Sequence, residues 1–291
     1  MRTHILDRLK KQSFPNTEWV KVDGYHDVIV AKNPHALVTI AGYLKYICAK
    51  EIGQGIYFRG QRTIYGSLCP TLYRDIKAQA GRDKRERSLV DVLTAVRKSA
   101  GIFNKFGHYA HEPLLQHYGI WTTWIDLVDN VWVALWFACN RAHSSGKRQE
   151  FLHFEERIPD GTHQYAYILL VAADITGRNR VKPGYFWGAD TELVDLRMAA
   201  PSIFLRPHAQ HGLLFRCRGE KNTGRTLDYS KQVYGVIAVE LPRALDWLGS
   251  GKMVSAHSLF PPPLYDGGYS ILLDIDLNHV AGAGNIMQIG A

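Results

Sequence analysis

The sequence predicts an α+β fold, with a helix-rich N-terminal half and a strand-rich C-terminal half packed as one domain over residues 1–291. Three observations carry this. Apolar residues between 33 and 142 recur mostly at three- and four-residue spacings. After residue 165 the apolar runs are short and either continuous or alternating. The two regimes follow one another instead of interleaving, which argues against a regular βαβ series. With 46% hydrophobic and 21% charged residues, the chain can bury a sizeable core.

The elements follow in order. Trp19-Val20-Lys21-Val22 alternates as a strand does. Asn33-Pro34 is a helix start, and apolar residues follow at helical spacing through Ile47. Ile56 to Phe58 is a short strand, and Pro70 to Arg74 is a turn or the opening of a helix. Ser88 to Phe106 is helical in pattern, with Gly107 able to end it. Leu114 to Tyr118 is a short helix closed by Gly119. Asn130 to Ala142 is apolar on nearly every face and should be a central core helix, capped by Asp129 or Asn130. Tyr165 to Ala172, Gly212 to Cys217 and Val233 to Leu241 are strands. Pro242 to Leu248 is a short helix with proline in its first turn, and Pro261-Pro262-Pro263 breaks the chain. Tyr269 to Val280 is ambiguous, with helix preferred.

Composition narrows the function classes. No apolar run reaches the ~18 residues of a membrane span, and no apolar stretch follows the basic N-terminus as a secretory signal would require. Cys48, Cys69, Cys139 and Cys217 are far apart, so a cytoplasmic protein with reduced thiols, three of them in the core, is expected. The formal charge of +8 favours an anionic partner: a nucleotide, an anionic small molecule or nucleic acid. The one dense run, Arg82-Asp83-Lys84-Arg85-Glu86-Arg87, is interrupted by acids and is better explained as a solvated helix start. The 13 histidines are scattered, with no HExxH or paired-cysteine spacing, so no metal is expected. Walker A and GxSxG motifs are also missing from the sequence.

Two segments place polar chemistry beside apolar bulk: Tyr57-Phe58-Arg59-Gly60-Gln61, and Gln116-His117-Tyr118-Gly119 followed by Trp121, Thr122 and Asp126. Arg59 at a strand end can grip phosphate or carboxylate, or brace the strand through an ion pair to Asp126. Gly60 lets a ligand approach the backbone, and Gln61 suits a base or an amide but equally a turn. His117 could serve as acid, base or donor, with a structural role weighed as equal. Asp126 is expected to orient Arg59 or His117 or to cap a helix, the structural role being favoured. Trp132 and Trp136, four apart on an apolar helix, belong to the core.

These segments resemble the FRG family, named for its Phe-Arg-Gly motif, over about residues 57–215. Ala134-Leu135-Trp136-Phe137-Ala138 and Ala209-Gln210-His211-Gly212-Leu213-Leu214-Phe215 extend the likeness. Trp121 stands where the family has proline, which makes it the stacking candidate, and Thr123 stands where it commonly has arginine. The resemblance implies a nucleotide or small-molecule site with Arg59, Gly60, Gln61, Gln116, His117, Tyr118, Trp121, Thr122, Asp126 and Gln210 as ligand-binding candidates. A more distant similarity to ADP-ribosyltransferase-like folds implies NAD as a candidate substrate, in a transferase or glycohydrolase of bacterial or phage conflict. Arg59 would then hold the pyrophosphate, with His117 and Gln61 on ribose or nicotinamide. Gln210 cannot act as the base, so Glu240, at a strand end, and Glu192 are the candidate carboxylates, with Arg59, His117 and Glu240 as the catalytic set. The alternative is a non-catalytic module that binds nucleic acid or a protein partner.

Overall fold

A computed structural model describes residues 2–22, 26–161, 164–178, 181–218, 228–277, 280 and 282–289. Helix α1 (Arg2–Lys11) seats Ile5 and Leu9 in the core, then β1 (Thr17–Val22) and β2 (His26–Ala31) pair antiparallel. Helix α2 (Pro34–Ile52) begins where Asn33-Pro34 predicts it. Asn33 Oδ1 accepts from the Ala36 amide at 2.8 Å, Pro34 occupies the first turn, and Gly53 closes the helix at φ 65°. Strand β3 (Gln54–Gln61) follows, then α3 (Gln79–Ser99), the short α4 (His111–His117) and β4 (Ile125–Val128). Helix α5 (Val131–Cys139), capped by the Asn130 side chain, is buried along most of its length.

A polar hairpin, β5 (Asn140–Ser145) and β6 (Phe151–Glu156), comes next. Strand β7 (Tyr165–Asp174) is buried at all but its two ends. The short β8 (Gly177–Arg178), β9 (Tyr185–Trp187) and β10 (Thr191–Asp195) lead into α6 (Leu196–Ala199) and α7 (Arg206–Gln210). Strands β11 (Gly212–Cys217) and β12 (Val233–Glu240) precede α8 (Leu241–Trp247), α9 (Ala256–Leu259), α10 (Gly267–Leu273) and β13 (Gln288–Ile289).

The fold is α+β. Ten strands form one mixed sheet in the order β1-β2-β12-β7-β3-β4-β11-β10-β9-β8, and β13-β6-β5 form a second. Among the described residues, β2 with β12 is the one parallel pair of the large sheet. Alternation along β3 sends Ile56, Phe58 and Gly60 to one face, where Ile56 and Phe58 join α2 and α5 in the largest apolar cluster. Tyr57 faces the other side, in a cluster with Leu169, Leu127 and Phe215. A third cluster joins α3, α4 and α10 around Phe103, Tyr118 and Phe204.

The structure corrects several expectations. The first half carries the long helices as expected, and it also contributes β1 to β5, of which β3 and β4 sit mid-sheet. The core helix α5 stops at Cys139, and Asn140 to Ala142 are already strand. Helix α3 starts nine residues before Ser88, so the charged run lies inside it, and residues 101–105 form a separate 3-10 turn. Of Tyr269 to Val280 only the part to Leu273 is helix, and residues 278–279 lie outside the described ones. Cys48 and Cys139 are buried, but Cys69 and Cys217 are only half-buried.

Candidate functional site

The site forms where two central strands stop pairing. β3 and β4 are in register at one couple, Phe58 with Val128. Past that couple the Arg59 guanidinium takes over the connection, its Nη1 donating to the Asp126 carbonyl at 2.7 Å. The contact is to the main chain and not, as the sequence suggested, to the Asp126 carboxylate. Burial pulls the Arg59 pKa down, offset in part by the charge of Asp126, and Arg74 adds a like charge nearby. Among the described residues the buried Arg59 Nε has no hydrogen-bond partner.

Asp126 is the hub of a second set of bonds. His117 Nδ1 lies 3.2 Å from Asp126 Oδ1, and Gln116 Nε2 donates to Oδ2 at 3.0 Å. Thr122 fixes Gln116 in turn, its amide and hydroxyl donating to Oε1 at 3.2 and 2.8 Å. The Asp126 side chain stays 40% exposed, whereas that of His117 is 3% exposed. Partial desolvation works to raise the Asp126 pKa, but the His117 hydrogen bond, the charges of His117 and Arg59 and the Gln116 amide outweigh it and hold the carboxyl below its usual value. When the ring is neutral, an ionised Asp126 favours the proton on Nδ1 and leaves Nε2 as an acceptor. That Nε2 is buried and has no partner among the described residues. The ring fits because residue 212 is glycine: a Cβ there would sit 2.6 Å from His117 Cε1 and 2.8 Å from Nε2.

Two cavities meet at this point and share Arg59, Gly60, Phe137 and Asn140. The smaller, about 280 Å³, is bounded by His117, Asp126 and Gln210 among apolar side chains such as Phe58, Val128, Phe154 and Phe260. Gln210 is anchored there by its amide, which donates to the Leu259 carbonyl at 2.9 Å. The larger, about 910 Å³, is strongly basic: Arg59, Arg62, Arg74, Lys77 and Arg82 line it with Gln61, and among the described residues Asp75 is the single carboxylate that lines it.

The structure thus brings Arg59, Gly60, Gln61, His117, Asp126 and Gln210 together, with Gln116 directly behind them. It does not bring the rest. Tyr118 is fully buried, its hydroxyl on Asp266 and its ring against the Arg206 guanidinium, because α4 turns that side toward α10. Thr122 is also fully buried and serves Gln116. Trp121 borders neither cavity; its ring carries the Arg85 guanidinium at 4.7 Å. Glu240 ends β12 in an exposed pair with Arg243 at 3.0 Å, away from both cavities. Glu192 is occupied by Arg216, Arg218 and the Tyr185 hydroxyl. Gly60 borders both cavities, but a Cβ on it would strike the Ala134 carbonyl oxygen at 1.9 Å, so its smallness serves α5.

Sequence reasoning missed Gly212, Asn140 and the cations Arg62, Lys77 and Arg82. The signal for the cations was their density after the Arg-Gly-Gln turn, where five basic residues (Arg62, Arg74, Lys77, Arg82 and Lys84) fall within 23 positions. Among the described residues no group of three or more His, Cys, Asp or Glu is placed to hold a metal ion, and no helix is long and apolar enough to cross a membrane.

The stretch from β3 into β5 carries most of this architecture, and residues 54–147 match the family model described as FRG domain. This stretch is similar to an FRG domain. It supplies Arg59, Gln116, His117, Asp126 and every residue of the basic cavity, whereas Gln210, Gly212, Phe154 and Phe260 reach the site from outside it. No curated protein and no solved structure matched the chain.

Proposed function

We propose that the joined cavities bind a nucleotide, with Arg59 on its phosphates and the His117–Asp126 pair performing acid–base chemistry on the part held in the smaller cavity. The observation that carries this is Arg59 itself. It stands in the wall common to a basic and an apolar cavity, fixed by one main-chain bond, with its buried Nε unpartnered among the described residues. A guanidinium so placed suits a phosphate whose attached group turns into the apolar space.

NAD is the candidate substrate, in a glycohydrolase or ADP-ribosyltransferase reaction of the FRG domain. The bond from ribose C1′ to nicotinamide breaks, a new C1′–O bond forms to water or an acceptor hydroxyl, and nicotinamide leaves as the neutral base. The nucleophile's proton passes to His117 Nε2, the ring being held by Asp126. This places the acid–base role on His117 and Asp126, since Glu240 and Glu192 are engaged elsewhere.

Calorimetry with NAD tests the reading. Arg59→Ala should weaken binding at least about tenfold through loss of a charge-assisted contact. His117→Gln should leave binding in place and abolish nicotinamide release. A lack of heat with NAD, with salt-sensitive oligonucleotide binding that survives Arg59→Ala, would instead establish a nucleic-acid-binding module.

A further inference from the structure

Resting on that nucleotide reading, we infer that the basic cavity contains a second phosphate subsite remote from the nucleoside end, built by Arg74, Lys77 and Arg82 around the start of α3, so that the ligand carries phosphate beyond a single diphosphate bridge.

The charge balance is the first argument. A diphosphate bridge carries two negative charges, and Arg59 with one neighbouring cation would neutralise it. The cavity presents five cations against Asp75. Arg59, Arg62, Arg74 and Lys77 form no ion pair among the described residues. Like charges gathered in one cavity repel one another, and an anion of higher charge relieves that repulsion.

The second argument is construction. Arg85 Nη1 donates to the carbonyls of Leu72 and Arg74 at 3.0 and 3.2 Å, which pins the turn that carries Arg74. Arg85 is itself held by stacking on Trp121. Arg74 Nε donates to the Cys69 carbonyl at 3.2 Å, fixing the direction of the guanidinium. The 21-residue helix α3 begins at Ala78 without a side-chain cap and with no acidic residue in its first turn. Its start therefore keeps the partial positive charge of a helix N-terminus. Lys77 and Arg82 flank that start and both line the cavity.

The ligand class is a nucleoside triphosphate or a dinucleotide with an additional phosphate, in preference to a bare diphosphate. Calorimetry with ADP, ATP, NAD and NADP on the full chain tests this. ATP should bind at least about tenfold more tightly than ADP, or NADP than NAD, as an added charge-assisted phosphate contact allows. Lys77→Ala and Arg74→Ala, both at exposed positions, should remove most of that advantage, weakening ATP and NADP binding more than ADP and NAD binding. Equal affinities across each pair would overturn the second subsite and leave the nucleotide reading standing. So would variants that weaken ADP and ATP alike. Binding of none of the four, beside normal melting curves, would overturn both.

Discussion

Gly60→Ala should unfold the domain more readily without acting on the ligand directly. An added Cβ would lie 1.9 Å from the Ala134 carbonyl oxygen and 2.8 Å from the Ala138 amide nitrogen. An uncompressed C···O contact is about 3.3 Å, so strand and helix would have to part by roughly 1.4 Å. Both contacts are main chain, so no rotamer change relieves them. β3 is hydrogen-bonded to β7 along its whole length, and α5 is buried on most sides, so neither can shift alone. The cost belongs at or above the upper end of overpacking, ~3 kcal/mol or more. For a chain of this size that lowers the melting temperature by roughly 5 °C or more. Gly42, midway along α2, is the control: nothing lies within 4 Å of its Cβ position. Alanine there should gain about 0.8–1 kcal/mol from helix propensity and raise the melting temperature by a few degrees. Calorimetric melts of both variants, with NAD titrations on the folded fraction, give the answer. A Gly60→Ala protein melting within about 2 °C of the parent but unable to bind would refute the packing argument and return Gly60 to the ligand.

Three further outcomes are expected. Asp126→Asn keeps the carbonyl that anchors Arg59 but removes the charge beside His117 Nδ1; NAD affinity should hold while nicotinamide release slows by about 10²-fold or more, and equal loss of both would contradict the division of labour. Burial in the Phe103–Phe106 cluster, assisted by the charge of Arg97, takes the His111 pKa down to about 4, below its unfolded value of 6.5. The unfolded state then binds more protons between those values, so stability is full above pH 6.5 and falls as pH drops toward 4; a His111→Gln melt with the same slope across that window would exclude it as the cause. Burial raises the thiols of Cys48 and Cys139 to about 11 and about 12, so a disulfide reagent at pH 8 should label them only after unfolding, and rapid native labelling would show those helices to be open.

The parts legible in the sequence were those written in local chemistry. Asn33-Pro34 and Asn130 mark helix starts because their side chains satisfy first-turn amides, a requirement visible within four residues. Val131 to Cys139 could be placed in the core because it is apolar all round. Arg59, His117 and Asp126 were visible as polar residues at the borders of apolar runs. The hairpin Asn140–Ser145 with Phe151–Glu156 was not visible, since much of it is polar and exposed and so has no alternation to betray it. Tyr118 and Trp121 misled for a related reason. An aromatic next to polar residues looks the same in sequence whether it meets a ligand or an arginine, and here Arg206 and Arg85 take those faces. Gly60 showed that glycine was required, but only the approach of α5 says by what.

Arg59 is held by a carbonyl, and every amino acid has one. The main-chain bond to the guanidinium therefore survives a change of side chain at residue 126, while the contact to His117 Nδ1 does not. Evolution can exchange that carboxylate, altering or silencing the chemistry at His117, and still inherit an arginine already aimed at the same spot. A descendant that only binds and one that turns over its ligand would be separated by a single codon. A library randomised at position 126 would sort these two behaviours within one unchanged scaffold.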